Sequence, residues 1–153
     1  MITSDSNLNK ADKVSDIATQ REKISRRGAW AIAKDLPASF KYAAQGLGYA
    51  FLSQRNFRIH IVIGLLVSIF AVWLELPIHD VAILVITIAT VLVLELINTS
   101  IEAVVDLAIG RRFHPLARIA KDCAAASVLV ASVASFVIAL LLIAPSFLKR
   151  IGF

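Results

Sequence analysis

The chain has 153 residues, 58% of them hydrophobic, and a net charge of +5; its mean hydropathy of +0.77 and its composition lie well above the roughly 45 to 50% apolar content of soluble domains. Lysines and arginines flank apolar runs instead of gathering with aromatics on a solvated face, which favours an anionic bilayer over nucleic acid as the partner. A single cysteine, Cys123, excludes an intrachain disulfide and any C-x-x-C metal site, and reads as a small packing residue.

Residues 1–27 mix Asp, Ser, Asn, Lys and Arg with scattered aliphatics, too little apolar surface to offset ordering entropy, and predict a mobile polar tail. Ser25-Arg26-Arg27 has the paired arginines of an export signal, but Lys34, Asp35 and Pro37 arrive before any apolar segment, so it is not read as one. A single membrane domain is expected over 28–153. It opens with an amphipathic helix at about 37–55, where Phe40, Tyr42, Leu47, Tyr49 and Phe51 recur at helical spacing around Lys41 and Gln45, as in a helix lying on a membrane. Gly46 and Gly48 form a G-x-G without the strand and third glycine of a dinucleotide fingerprint.

Three spanning helices follow, making an all-α membrane protein. The first, about 56–76, has an uncharged stretch of only about 14 residues, lengthened by Arg58 and His60 reaching to the interface. The second, about 81–109, is uncharged to Leu94 and then turns polar on one side. The third, about 118–144, holds an uncharged run from Cys123 that is closed by Pro145. Lys34, Lys41, Arg55 and Arg58 precede the first span and Arg111, Arg112, Arg118 and Lys121 separate the second from the third, while the link Glu75–Asp80 has no base. The amino terminus and the 107–121 loop are therefore expected on the cytoplasmic side. Lys149 and Arg150 run against that rule.

The second span carries the chemistry: Glu95-Leu96-Ile97-Asn98-Thr99-Ser100-Ile101-Glu102-Ala103-Val104-Val105-Asp106. At 100° per residue, positions 95, 98, 102 and 106 fall within roughly 80°, a single polar stripe. Carboxylates beside hydrocarbon cost a few kcal/mol each and are read as functional. At the start of the third span Arg118, Lys121 and Asp122 share an arc of about 100°. Carboxylates facing a cation suit magnesium and a polyphosphate, with one or two acids on the metal and a lysine on the phosphates. On this reading Glu102 and Asn98 bind the cation, Lys121 binds phosphate, and Glu95, the deepest, is a base acting on a lipid alcohol. The competing readings are a solvated helix end for Glu102 and Asp106, and a helix-start charge pair for Lys121 and Asp122. No P-loop, protein-kinase or Rossmann motif occurs, so a nucleotide site has to be built from the helices themselves.

These residues, with Ala120-Lys121-Asp122 and the alanine-rich helix behind them, resemble the small prokaryotic integral-membrane diacylglycerol kinases and the related undecaprenol kinases over about Phe40 to Ala144. The segment Asn56-Phe57-Arg58-Ile59-His60 is similar to the undecaprenol kinase branch. The resemblance implies a homotrimer with active sites shared between neighbours, using ATP and Mg²⁺. It also implies a catalytic base at Glu95 with Asn98 nearby, a metal ligand at Glu102, nucleotide contacts around Asp106, and phosphate or structural contacts at Lys121 and Asp122. Where many members carry a second metal-binding glutamate this chain has Gln54, a neutral and weaker ligand. The expected reaction is phosphoryl transfer from MgATP to a membrane lipid hydroxyl at the cytoplasmic face of the inner membrane, diacylglycerol first and undecaprenol a close second. The alternative is a non-catalytic oligomer or a cation-conducting bundle with acidic rings.

Overall fold

The computed structural model describes residues 36–110 and 112–152, so the tail expected over 1–27, and Arg111, lie outside the described residues. Among the described residues four helices are present: α1 (Leu36–Ser53), α2 (Arg55–Trp73), α3 (Ile78–Ile109) and α4 (Pro115–Arg150). The chain divides at Gly46 into two compact units, the described part of the first being the opening turns of α1. Helices α2, α3 and α4 are each long and apolar enough to cross a membrane. The expected all-helical chain with three spanning candidates is what the fold contains.

Each helix boundary has a local cause. Helix α1 stops where Gln54 turns extended (φ −99°, ψ 114°), and the Arg58 guanidinium donates to the carbonyls of Phe51 and Leu52, both at 3.0 Å. That cation satisfies two of the orphan acceptors of the helix C-terminus. Helix α2 ends in a Schellman arrangement: Leu76 N–H reaches the Ala71 carbonyl at 3.1 Å while Glu75 takes φ +56°, a left-handed position that glycine normally fills. Leu76 and Ala71 both join the buried core, supplying the apolar contact that accompanies this cap. Helix α3 ends at Gly110, whose φ of 60° and ψ of −127° suit a residue without a Cβ. His114 then caps α4, its Nδ1 accepting from Leu116 N–H at 3.2 Å with Pro115 at the first helical position.

Several boundaries differ from the sequence reading. Helix α4 begins at Pro115 and runs through Pro145 to Arg150 instead of closing at 144. A proline removes only its own N–H bond, and apolar surroundings favour keeping the remaining backbone bonds in a helix. Helix α3 begins at Ile78, because Pro77 sets the entry and its carbonyl accepts from Asp80 and Val81 N–H.

Helix α3 packs against both α2 and α4. The core lies towards the 74–77 link and consists of Ala71, Leu74, Leu76 and Leu84, with Val67, Val81, Ala139, Leu142 and Ile143 against them. At that end Phe70 stacks on Trp73 and meets Phe147 at 5.8 Å, and the Arg150 guanidinium lies 4.5 Å over the Trp73 ring. The base that ran against the charge rule thus has an aromatic partner. Gly64 sets the spacing of α2 and α3, since a Cβ there would come within 2.8 Å of Ile88 Cγ2. Gly46 and Gly48 sit within α1 and face open space. Outward-facing Leu65, Leu66, Ile69, Leu129, Val130 and Phe136 are exposed on the protomer, a surface for lipid or for other helices.

Candidate functional site

Thirty-two residues at 1.5 Å each make α3 about 48 Å long, against roughly 30 Å of bilayer hydrocarbon. A span begun at Ile78 reaches the far edge of that layer near residue 97. On that count, begun at Ile78, Glu95 would fall just inside that edge and Glu102 and Asp106 beyond it. Burial follows the same gradient: Glu95 is only 3% exposed, Asn98 and Thr99 are buried, Glu102 is half-buried and Asp106 is exposed. The stripe read from the helical period is therefore a single face running from packed interior to solvent.

Thr99 Oγ1 donates to the Glu95 carbonyl at 2.9 Å, returning a hydroxyl to its own helix. The Glu95 carboxylate has no protein hydrogen bond among the described residues. His60 on α2 and Glu102 are the charged or titratable groups within its electrostatic reach. Asn98 Nδ2 donates to Glu102 Oε1 at 3.1 Å. This amide orientation is the one the chemistry requires, because a carboxylate accepts and cannot donate. It leaves Asn98 Oδ1 buried without a partner. A buried, unsatisfied carbonyl oxygen costs about 1 to 3 kcal/mol, and here it lies beside a carboxylate. Two oxygen donors of this kind fit a hard divalent cation. Among the described residues no three His, Cys, Asp or Glu side chains converge into a metal cage. A cation here would draw its remaining ligands from phosphate oxygens and water, the usual habit of magnesium.

The basic half of the site is joined to α3 by one contact. Lys121 Nζ donates to Asp106 Oδ1 at 2.5 Å, tying the start of α4 to the end of α3. Asp122 instead pairs with Arg118 one turn back at 3.6 Å, both well exposed. The three residues share one helix but not one partner: Lys121 is held by α3, while Arg118 and Asp122 form a surface pair of their own. With side chains 35% and 60% exposed, the Lys121–Asp106 pair contributes under about 1 kcal/mol, so a polyphosphate with more charge can take the lysine over. Gln54 stands at the break between α1 and α2 as the residue preceding the α2 helix, half-buried, with no side-chain capping bond. Its amide is not joined to Asn98 or Glu102 by a hydrogen bond. Arg112 is exposed.

Sequence reasoning passed over two residues. Arg58, taken as a base that lengthens a span, closes α1. His60, taken the same way, lies within reach of Glu95. The available signal was the register of His60, two residues from Arg58 and so on another face of α2.

A model of the family described as prokaryotic diacylglycerol kinase matches residues 41–143, a segment that contains all seven candidate residues. Among curated proteins, a diacylglycerol kinase of Synechocystis sp. is 46% identical over 128 residues, covering 84% of this chain and 73% of that protein. An undecaprenol kinase of Bacillus subtilis is 40% identical over 107 residues, covering 70% of this chain and 86% of that one. A diacylglycerol kinase of Escherichia coli is 34% identical over 96 residues, covering 63% and 78%.

Proposed function

Since the chain belongs to the prokaryotic diacylglycerol kinase family, we propose that it transfers the γ-phosphoryl group of ATP to the free hydroxyl of diacylglycerol, giving phosphatidic acid and ADP. It is a lipid kinase and an integral membrane protein with three candidate spans, which sets aside the non-catalytic and cation-path alternative. The observation that carries the assignment of roles is the Glu95 carboxylate, buried, free of protein hydrogen bonds and just inside the hydrocarbon edge. A lipid alcohol is presented at that depth, and a base must be within hydrogen-bond reach of the proton it removes.

Glu95 accepts the hydroxyl proton as the oxygen attacks the γ-phosphorus. The bond to the β-phosphate oxygen breaks, ADP leaves, and the proton passes from Glu95 to water. Asn98 Oδ1 and Glu102 would hold Mg²⁺, and Gln54 would offer a further, neutral oxygen. When bound, the ion would supply neutralisation of the phosphate charge. Lys121 leaves Asp106 to meet the phosphates, while Asp106 and Asp122 contact the remainder of the nucleotide. Positioning and charge neutralisation supply most of the rate in phosphoryl transfer, so no further covalent group is required of the protein.

The flanking bases favour the cytoplasmic face of the inner membrane for this end of the bundle, where ATP is available. The apolar outer faces of α3 and α4 support a homotrimer. Undecaprenol is the second acceptor, favoured by the 40% identical relative of that activity. The test is phosphorylation by the purified protein with radiolabelled ATP and Mg²⁺, with diacylglycerol and undecaprenol in parallel. Labelled phosphatidic acid is expected, and labelled product from neither alcohol overturns the proposal.

A further inference from the structure

A single residue makes the turn from α1 into α2. Gln54 is extended (φ −99°, ψ 114°) between the two helices, and along the stretch 51–56 it alone is half-buried, its neighbours Ser53 and Arg55 being exposed. Its side chain is therefore the one that this elbow turns towards the protein. Helices α2 and α3 are joined by the short 74–77 link and run antiparallel. Gly64 and Ile88 mark their register, since a Cβ on Gly64 would come within 2.8 Å of Ile88 Cγ2. Equal steps back along α2 from Gly64 and forward along α3 from Ile88 bring Gln54 level with Asn98, one turn from Glu102.

Arg58 fastens the elbow at that angle. Its Nη1 donates to the carbonyls of both Phe51 and Leu52 at 3.0 Å, reaching from the first turn of α2 back across Gln54 to the last turn of α1. Both bonds are charge-assisted, about twice as strong as neutral ones. The backbone adds a bond from Gln54 N–H to the Ala50 carbonyl at 2.8 Å and a long one, 3.5 Å, from Arg58 N–H to the Gln54 carbonyl. Among the described residues Arg58 pairs with no carboxylate, so the two carbonyls are what its charge engages. An arginine that only lengthened a span would reach out to water, not back to the preceding helix. One that only capped α1 would act alike whatever stood at position 54, yet this clamp straddles the one inward-turned residue of the elbow.

We propose that Arg58 is a positioning residue: its clamp on Phe51 and Leu52 fixes the rotation of the elbow and so holds the Gln54 amide oxygen towards the Asn98–Glu102 pair. The inference rests on the metal reading of Asn98, Glu102 and Gln54 given above and adds the group that aims the weakest of the three ligands. A neutral oxygen gains little charge attraction from a cation, so its contribution depends on being held in place beforehand.

The test is the binding of Mn²⁺ alone, a paramagnetic stand-in for Mg²⁺, to the full chain in detergent, followed as loss of the free-ion electron paramagnetic resonance signal. Gln54→Ala and Arg58→Ala are each expected to weaken binding by about tenfold. The double variant is expected to lose about tenfold as well, because Arg58 acts through Gln54. Arg58→Lys, whose ammonium also has hydrogens for two carbonyls, is expected to stay within about threefold of wild type. Unchanged binding in Arg58→Ala, or a double variant weakened by about a hundredfold as two independent losses would give, overturns the proposal. Should Arg58→Ala fail to fold, Arg58→Gln, which keeps an amide NH₂ without the charge, replaces it on the same criteria. Glu102→Gln separates the proposal from the reading beneath it. Binding lost there but kept in Gln54→Ala overturns the part given to Gln54 and Arg58 and leaves the Asn98–Glu102 site standing, whereas binding kept in Glu102→Gln defeats the metal reading and the proposal with it.

Discussion

The two ends of the three-helix bundle are built from opposite materials. Around the 74–77 link the chain closes on itself with aliphatic packing, a fully capped turn and an arginine laid over a tryptophan. At the other end stand, among the described residues, a carboxylate without a hydrogen bond, a carbonyl oxygen without a donor, and a lysine held by one exposed pair. Unsatisfied groups are tolerated at one end because the other is packed without them. On the proposed roles, stability and reactivity belong to different turns of the same helix, α3.

Four substitutions put that division under strain. Glu95→Gln keeps size and hydrogen-bonding capacity but cannot take a proton, so turnover is expected to fall by about 10²- to 10⁴-fold with thermal stability and oligomer size unchanged. A stability loss of similar weight would show that the polar end also holds the fold. Gly64→Ala acts on the packed side. Its new Cβ meets the β-branched Ile88 at 2.8 Å, where the side chain is stiff. It is expected to destabilise by about 1 to 3 kcal/mol, read as a lower midpoint of thermal unfolding in detergent. A smaller effect follows from Gln54→Glu. Converting a neutral oxygen to a carboxylate is expected to lower the Mg²⁺ concentration at half-maximal rate several-fold, and an unchanged value removes Gln54 from the metal. Smallest is Glu75→Gly, which relieves a left-handed φ of 56° and is expected to raise stability by up to about 1 kcal/mol with no change in rate.

The same division marks what the sequence made legible. Glu95, Asn98 and Glu102 could be placed together from one period because they lie on one helix, and a single α-helix carries its geometry in its spacing. Three spans were equally plain, since runs of uncharged residues are a local property. Relations between helices were not. Whether Lys121 turned towards α3 or towards Arg118 depends on how α4 packs, and neighbouring residues on a helix point about 100° apart. The Arg58 clamp on α1 and the nearness of His60 to Glu95 were hidden for that reason, as each is defined by a partner on another helix. Pro145 looked like a terminator because its local meaning is a break, yet packing at the outer end carried α4 past it. Glu75 looked like an ordinary link residue, and nothing in its type announces a left-handed backbone.

The position of Glu95 about 26 Å along α3 from Ile78 also makes the protein a gauge of its surroundings. In a sheet of lipid a few ångströms thinner the carboxylate stands at the water line; in a thicker one it is drawn under, and the helix must lean to bring it back. Reconstitution in phosphatidylcholines of graded acyl length is expected to give a rate maximum at one thickness, with the fall on either side reporting how far the acid has been moved from the surface.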